Sequence, residues 1–157
     1  MNQIEKWDKR FLEMSKTISL WSKDPSTKVG CVIKHNLNEI VSLGYNGFPK
    51  GDPDSEEEYA NRQIKYSKIV HAEINAWFFA KRNGFASLQG CTVYTYPFQP
   101  CETCTNTLIL LKPTRIVSLQ PTPEQQSRWD ESFKRAKQKF ESNLIEMTIY
   151  PKEFLGE

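Results

Sequence analysis

The residue types best suited to chemistry fall in two short stretches, His71-Ala72-Glu73 and Pro100-Cys101-Glu102-Thr103-Cys104. Each follows a strand-like or loop segment and opens a run of helical periodicity, so both sets of side chains emerge at helix N-termini. Unpaired backbone N–H groups and the helix dipole at such ends favour anionic thiolates. Cys101 and Cys104 are three apart, which puts both sulfurs on one helical face. One imidazole and two thiolates supply three zinc ligands and leave the fourth tetrahedral position open for water. Two thiolates neutralise the formal charge of the ion, yet zinc still lowers the pKa of bound water. Glu73 is the acid/base candidate, because its longer arm reaches past the metal to the water and the substrate. Ideal helix geometry does not put residues i and i+2 on one face, so this placement depends on Glu73 lying in the first turn. Cys-x-x-Cys alone would equally suit a redox pair or a structural zinc; His-x-Glu at a separate helix start favours catalysis.

Those two helix starts need elements to carry them. Ile4, Trp7, Phe11, Met14, Ile18 and Trp21 recur at helical spacing, which predicts an amphipathic helix over about 3–22, broken by Ser22-Lys23-Asp24-Pro25-Ser26. Val29–Ile33 and Ile40–Tyr45 are β-rich runs joined by a polar turn, a predicted hairpin. Residues 47–57 read as a loop, and Ser55 with Glu58 forms a potential capping box for a short helix towards Tyr66. Further helices are predicted over 72–82, 100–111 and 123–141, and strands over 91–96, 115–119 and 144–150. On the helix over 72–82, Ile74, Trp77 and Phe78 are the apolar positions, with Trp77, Phe78 and Phe79 expected in the core or at a subunit interface. The order α-β-β-α-β-α-β-α-β implies an α/β sandwich: one antiparallel hairpin, then parallel strands joined by crossover helices.

Bulk properties narrow the function. A chain of 157 residues with 38% hydrophobic and 25% charged side chains suits one globular domain. A net charge of +2, from 21 basic and 19 acidic residues, is too balanced to announce a nucleic-acid or membrane surface. No apolar run approaches a membrane span, and the charged N-terminus lacks the apolar core of a signal peptide. Four cysteines in that context read as reduced thiols in the cytoplasm. Cys31 and Cys91, inside apolar strands, read as inert core residues, and His35 as a solvated turn residue.

His-x-Glu followed by Pro-Cys-x-x-Cys is a zinc-deaminase signature. Further matches are Ser22-Lys23-Asp24-Pro25-Ser26 with Val29-Gly30, Gly44-Tyr45-Asn46-Gly47-Phe48-Pro49, and Asn75-Ala76 after Glu73. On these residues the chain resembles the cytidine/deoxycytidylate deaminase superfamily across about residues 4–120, and the Gly-Tyr-Asn-Gly-x-Pro segment points to its deoxycytidylate branch. The resemblance implies a three-layer α/β/α fold with a five-stranded mixed sheet, and a single deaminase domain over 1–157 with its catalytic core over about 4–120. It implies hydrolytic deamination of dCMP to dUMP, which feeds thymidylate synthesis, with one zinc per chain held by His71, Cys101 and Cys104, and Glu73 moving the protons.

The resemblance also implies substrate contacts. Asn46 is expected at the sugar or base, the backbone around Ala72 at the pyrimidine, and the backbone at Gln99 as acceptor from the departing amine. Lys23 and Lys28 are the candidates for the 5′-phosphate, with solvated loop charges as the alternative reading; Asn46 has a plain turn role as its alternative. A homo-oligomer is implied, with a hexamer favoured, and dCTP and dTTP are candidate effectors. Many relatives carry a cysteine after the glycine that Gly51 matches; here Asp52 follows, so no second zinc is expected. Tyr96-Pro97-Phe98-Gln99 is an unusual approach to Pro100, and the Tyr/Asp-rich segment usual after about residue 120 is missing. Two other classes compete: a deaminase of other cytosine nucleosides or of polynucleotide, which would need clustered basic residues, and a non-catalytic zinc module, which would have no use for Glu73.

Overall fold

The computed structural model describes residues 1–157. Its helices are α1 (Gln3–Ser19), α2 (Glu56–Ala60), α3 (Arg62–Lys68), α4 (Ala72–Arg82), α5 (Glu102–Leu111) and α6 (Pro123–Ser142). Its strands are β1 (Gly30–His35), β2 (Glu39–Tyr45), β3 (Thr92–Tyr96), β4 (Arg115–Leu119) and β5 (Glu146–Tyr150). They form one mixed sheet in the order β2-β1-β3-β4-β5. The predicted hairpin is antiparallel, β3 adds antiparallel to β1, and β4 and β5 follow in parallel through the crossover helices α5 and α6.

Alternation along the strands divides the core into two faces. Cys31, Ile33, Val93 and Ile116 meet α4, α5 and α6 through Ala72, Ala76, Leu108 and Phe140. Val32, Tyr94 and Val117 meet α1 through Phe11, Leu12 and Ile18. The result is three layers, α/β/α, as expected.

Local chemistry corrects several boundaries. α1 stops at Ser19, short of Trp21, which is exposed. The single helix expected over 55–66 is two, because Asn61 takes extended backbone, ends α2, and caps α3 by accepting from the Ile64 N–H at 3.2 Å. Ser55 accepts from the Glu58 N–H, one half of the expected box. The last strand starts at Glu146 because Leu144 sits at φ 58°, outside extended space.

The largest correction concerns α4. Its buried face is Ala72, Glu73, Ala76 and Ala80, whereas Phe78 and Phe79 are 54% and 51% exposed and Trp77 is partly buried. The reason is a backbone-on-backbone approach to β2. A Cβ on Gly44 would lie 2.5 Å from the Ala76 nitrogen and 2.6 Å from the Ala72 oxygen. Only small residues fit such a contact. Ser42 Oγ adds a hydrogen bond to the Ala76 carbonyl at 2.6 Å, and Asn75 Nδ2 donates to the Tyr45 carbonyl at 2.9 Å.

A second tie lies on the α1 face. The buried Asp8 carboxylate accepts from Arg115 Nη1 and Nη2 at 2.9 and 2.7 Å, and from the Tyr94 and Tyr150 hydroxyls at 2.8 Å each. Burial and the neighbouring Asp8 push both phenols up, Tyr150 to about 12, so both remain O–H donors. Four donors on one carboxylate offset its desolvation and join α1, β3, β4 and β5. No helix is long and apolar enough to cross a membrane. Asp8→Ala leaves the largely buried Arg115 guanidinium with only the exposed Glu146 carboxylate and the Thr148 hydroxyl as partners, and with the two tyrosine hydroxyls deprived of their acceptor it is expected to cost about 3 kcal/mol of folding stability. A urea titration checks this through a lower midpoint at unchanged slope; a loss below about 1 kcal/mol would remove Asp8 as a staple.

Candidate active site

Helix N-caps in this chain divide into two kinds. Asn2, Ser55, Asn61 and Thr122 each accept a backbone N–H of their own first turn, at α1, α2, α3 and α6. His71 and Cys101 are the N-caps of α4 and α5, and neither side chain makes a cap bond. α5 therefore begins at Glu102, not at Pro100 as the sequence suggests. A good cap is worth about 1 kcal/mol, so these two positions forgo local stability and leave their ligating atoms free. Both cap side chains turn to one point between the helix ends.

His71 Nδ1 lies 3.2 Å from Cys104 Sγ and 3.4 Å from Cys101 Sγ, and the three ligand atoms are all within 4.8 Å of one another. A tetrahedral zinc with bonds of about 2.0–2.3 Å holds nitrogen and sulfur ligands roughly 3.5 Å apart. The donor set and its spacing therefore fit one zinc ion. Hydrogen bonds from Cys104 and then His71 outweigh burial and push the Cys101 thiol down to about 4. The bond to Cys101, then burial, push the Cys104 thiol far up, and Cys101 raises His71. Protons shared within the cluster are what a metal releases when it binds.

A cavity of about 340 Å³ opens onto this cluster, within the size range of small-molecule sites. Glu73 lies in its wall, 4% exposed, in the first turn of α4 beside His71. Burial pushes its carboxyl up, with His71 opposing. Ala72, Asn46 and Gln99 also line the cavity. Gln99 is anchored by its side chain, Nε2 donating to the Phe133 carbonyl at 2.9 Å.

Asn46 is engaged as well. Its Oδ1 accepts from the Val29 N–H at 2.8 Å, and its Nδ2 donates to the Thr27 carbonyl at 2.8 Å and to Asp24 at 3.4 Å. Asp24 in turn accepts from the Ser26 N–H and from Lys65 Nζ, both at 2.8 Å. Asn46 thus shapes the 24–29 wall of the cavity through bonds within the protein.

The two lysines expected at a phosphate are placed elsewhere. Lys23 is exposed, bonded to Asp54 at 2.7 Å, and Lys28 is bonded to the Ser22 carbonyl; neither lines the cavity. The cationic side chains that do are Arg62, Lys65 and Arg128. Sequence reasoning missed them, since Arg62 lies in an apparent loop-to-helix stretch and Arg128 in a polar helix remote along the chain. Hydrophobic periodicity carried one signal: Phe133 marks the face of α6 that turns towards the cavity.

The geometry predicts one zinc per purified chain. Cys101→Ser should lose it, because a neutral hydroxyl replaces one of the two thiolates and leaves only His71 and Cys104 as strong donors, while the fold persists. Elemental analysis alongside far-UV circular dichroism checks this; a fully zinc-loaded variant would displace Cys101 from the metal site, as would two tightly held zincs in the wild-type protein displace the single-site reading.

Residues 5–120 match the family described as the cytidine and deoxycytidylate deaminase zinc-binding region. The protein named "Uncharacterized deaminase in luxG 3'region" of Aliivibrio fischeri is 41% identical over 153 residues, covering 97% of this chain and 99% of that protein. A probable deoxycytidylate deaminase of Caenorhabditis elegans is 42% identical over 118 residues, 73% of this chain, and the match spans 58% of that longer protein. A crystal structure of dCMP deaminase from the cyanophage S-TIM5 shares the fold, with TM-score 0.71 at 17% identity over 95% of this chain and 99% of that one. With the zinc cluster and the three-layer sheet already in place, this chain belongs to the zinc-binding cytidine and deoxycytidylate deaminase family.

Proposed function

We propose that this chain hydrolytically deaminates dCMP to dUMP with one zinc ion, as a single catalytic unit over residues 1–157, and so supplies dUMP for thymidylate synthesis. The observation that carries this reading is the buried Glu73 carboxyl in the cavity wall beside the His71, Cys101 and Cys104 cluster. His71, Cys101 and Cys104 hold the zinc. When bound there, zinc supplies a Lewis acid that makes water nucleophilic near neutral pH.

Glu73 then does the proton work. It takes a proton from the water that adds to C4 of the cytosine and delivers it to ring nitrogen N3. It next carries the remaining hydroxyl proton to the amino group, which leaves as ammonia as the C4 carbonyl forms. Water enters, ammonia leaves, and Glu73 ends in its starting state. The N-terminal turn of α4 lacks a side-chain cap, so the backbone around Ala72 has N–H groups to offer the pyrimidine. The backbone at Gln99, fixed by the bond from that side chain to α6, is the acceptor for the departing amine.

A homo-oligomer, with a hexamer favoured, belongs to this reading. It is supported by the half-exposed Phe78 and Phe79 on α4 and by Ile40 on the edge strand β2, apolar surface that a second copy would cover. dCTP and dTTP are the proposed effectors. A cytoplasmic location suits four cysteines that all stand as free thiols.

Glu73→Gln keeps the shape and the zinc but cannot shuttle a proton, so turnover should fall by about 10²–10⁴-fold or more. Near-wild-type turnover in a zinc-replete variant would remove Glu73 from the mechanism. Wild-type kcat/KM on dCMP should exceed that on deoxycytidine, cytidine and single-stranded DNA by roughly tenfold or more, since one charge-assisted phosphate contact is worth about 1.5–3 kcal/mol. A preference for the oligonucleotide would replace the reading with a polynucleotide deaminase. Light scattering and assays with added dCTP or dTTP check the assembly and the effectors.

A further inference from the structure

The charges at the cavity are unevenly satisfied. Lys65, buried, is neutralised by Asp24 at 2.8 Å, with side-chain exposures of 11% and 3%. Lys23, Lys68, Arg135 and Lys139, elsewhere on the surface, each have a carboxylate. Arg62 and Arg128 line the cavity and have none. Both are exposed, Arg62 in the first turn of α3 and Arg128 in α6, where its guanidinium lies 5.9 Å from the Trp129 ring centre. The carboxylates lining the cavity are Asp24, held by Lys65, and Glu73, beside the metal ligands. The cavity wall therefore carries two guanidiniums that no protein anion balances.

The substrate's own geometry says what balances them. With the cytosine ring against Glu73 and the metal cluster, the 5′-phosphate is the far end of the nucleotide and the only strongly anionic group. A phosphate monoester offers three oxygens and close to two charges, which suits the planar five-donor fork of arginine better than a single ammonium. Low-dielectric walls around a positive rim also concentrate anions there. α6 lies outside residues 5–120, the part that matches the family, so one of the two arginines comes from a segment the family motif does not describe.

We propose that Arg62 and Arg128 together hold the 5′-phosphate, which makes them the residues that select a nucleotide over a nucleoside; this rests on the nucleotide reading above. The phosphate bridges α3 and α6 across the cavity, and Lys23 has no part in it. Neither arginine side chain makes a hydrogen bond or ion pair within the protein, so truncating either leaves the fold intact, which melting temperature and zinc content verify.

The experiment is kcat/KM on dCMP and on deoxycytidine at one ionic strength, for wild type, R62A, R128A and K23A. Each arginine variant should lower kcat/KM on dCMP by roughly tenfold to two-hundredfold and change deoxycytidine turnover by less than about threefold, so that the ratio collapses. K23A should keep the wild-type ratio. A dCMP preference that survives both R62A and R128A, or that collapses in K23A, overturns the assignment while the nucleotide reading stands. Equal losses on both substrates overturn it too, because the arginines would then shape the cavity and not read the phosphate. Wild-type indifference between dCMP and deoxycytidine overturns the nucleotide reading and this assignment together.

Discussion

The contact between Gly44 and the first two turns of α4 governs the geometry of the whole site. Strand and helix approach until a single methyl group on residue 44 would overlap the backbone at Ala72 and Ala76. Such proximity leaves no room for a sliding layer of side chains between the two elements, so the helix has one seat. His71 and Glu73 lie at the end of that helix, and their positions relative to the sheet follow from the seat. Gly30 repeats the device on the other face, where a Cβ would lie 2.0 Å from the Ser15 carbonyl of α1. The hairpin is thus clamped from both sides at glycines, and the rest of the sheet is built outward from it.

α5 reaches the same point by a different route. β3 runs antiparallel to β1, so its C-terminal end leads through Phe98 and Gln99 to Cys101. Two helices from separate crossovers then present their N-termini to each other. Each would normally be closed by its own cap residue, as the other four helices are. At these two ends the cap positions hold an imidazole and a thiol that make no cap bond, so their ligating atoms are free to meet and the first-turn N–H groups stay open. Function here is written as a local departure from the capping rule that the remaining helices obey.

The opposite face has no such departures. Asp8, Arg115, Tyr94 and Tyr150 satisfy one another inside the protein, far from the cavity in the layer order. Their bonds connect the first helix to three strands that are widely separated along the chain. This arrangement lets the catalytic face carry uncapped helix ends and unpaired arginines, because the layer beneath is held independently.

By itself the sequence determined the chemistry and the kinds of element. His71, Glu73, Cys101 and Cys104 are legible as a candidate site because an imidazole, a carboxyl and two thiols sit at short, fixed spacings near helix starts, and spacing is a local property. The alternation of Val32 with Cys31 and Ile33 is local too, so strands and their two faces could be read from it. Strand order was not legible, since β1 lies between β2 and β3 through pairings that no short window contains. The alanine face of α4 was hidden for the same reason: periodicity weighs side-chain size, and the larger Phe78 outranked Ala76 until Gly44 was brought against it. Only tertiary structure decided which cations face the cavity. Lys23 is near the motif in sequence but is taken by Asp54, whereas Arg128 is remote in sequence and arrives because α6 packs back over the sheet. Charge is a residue property, but whether a charge is free depends on what the fold sets beside it.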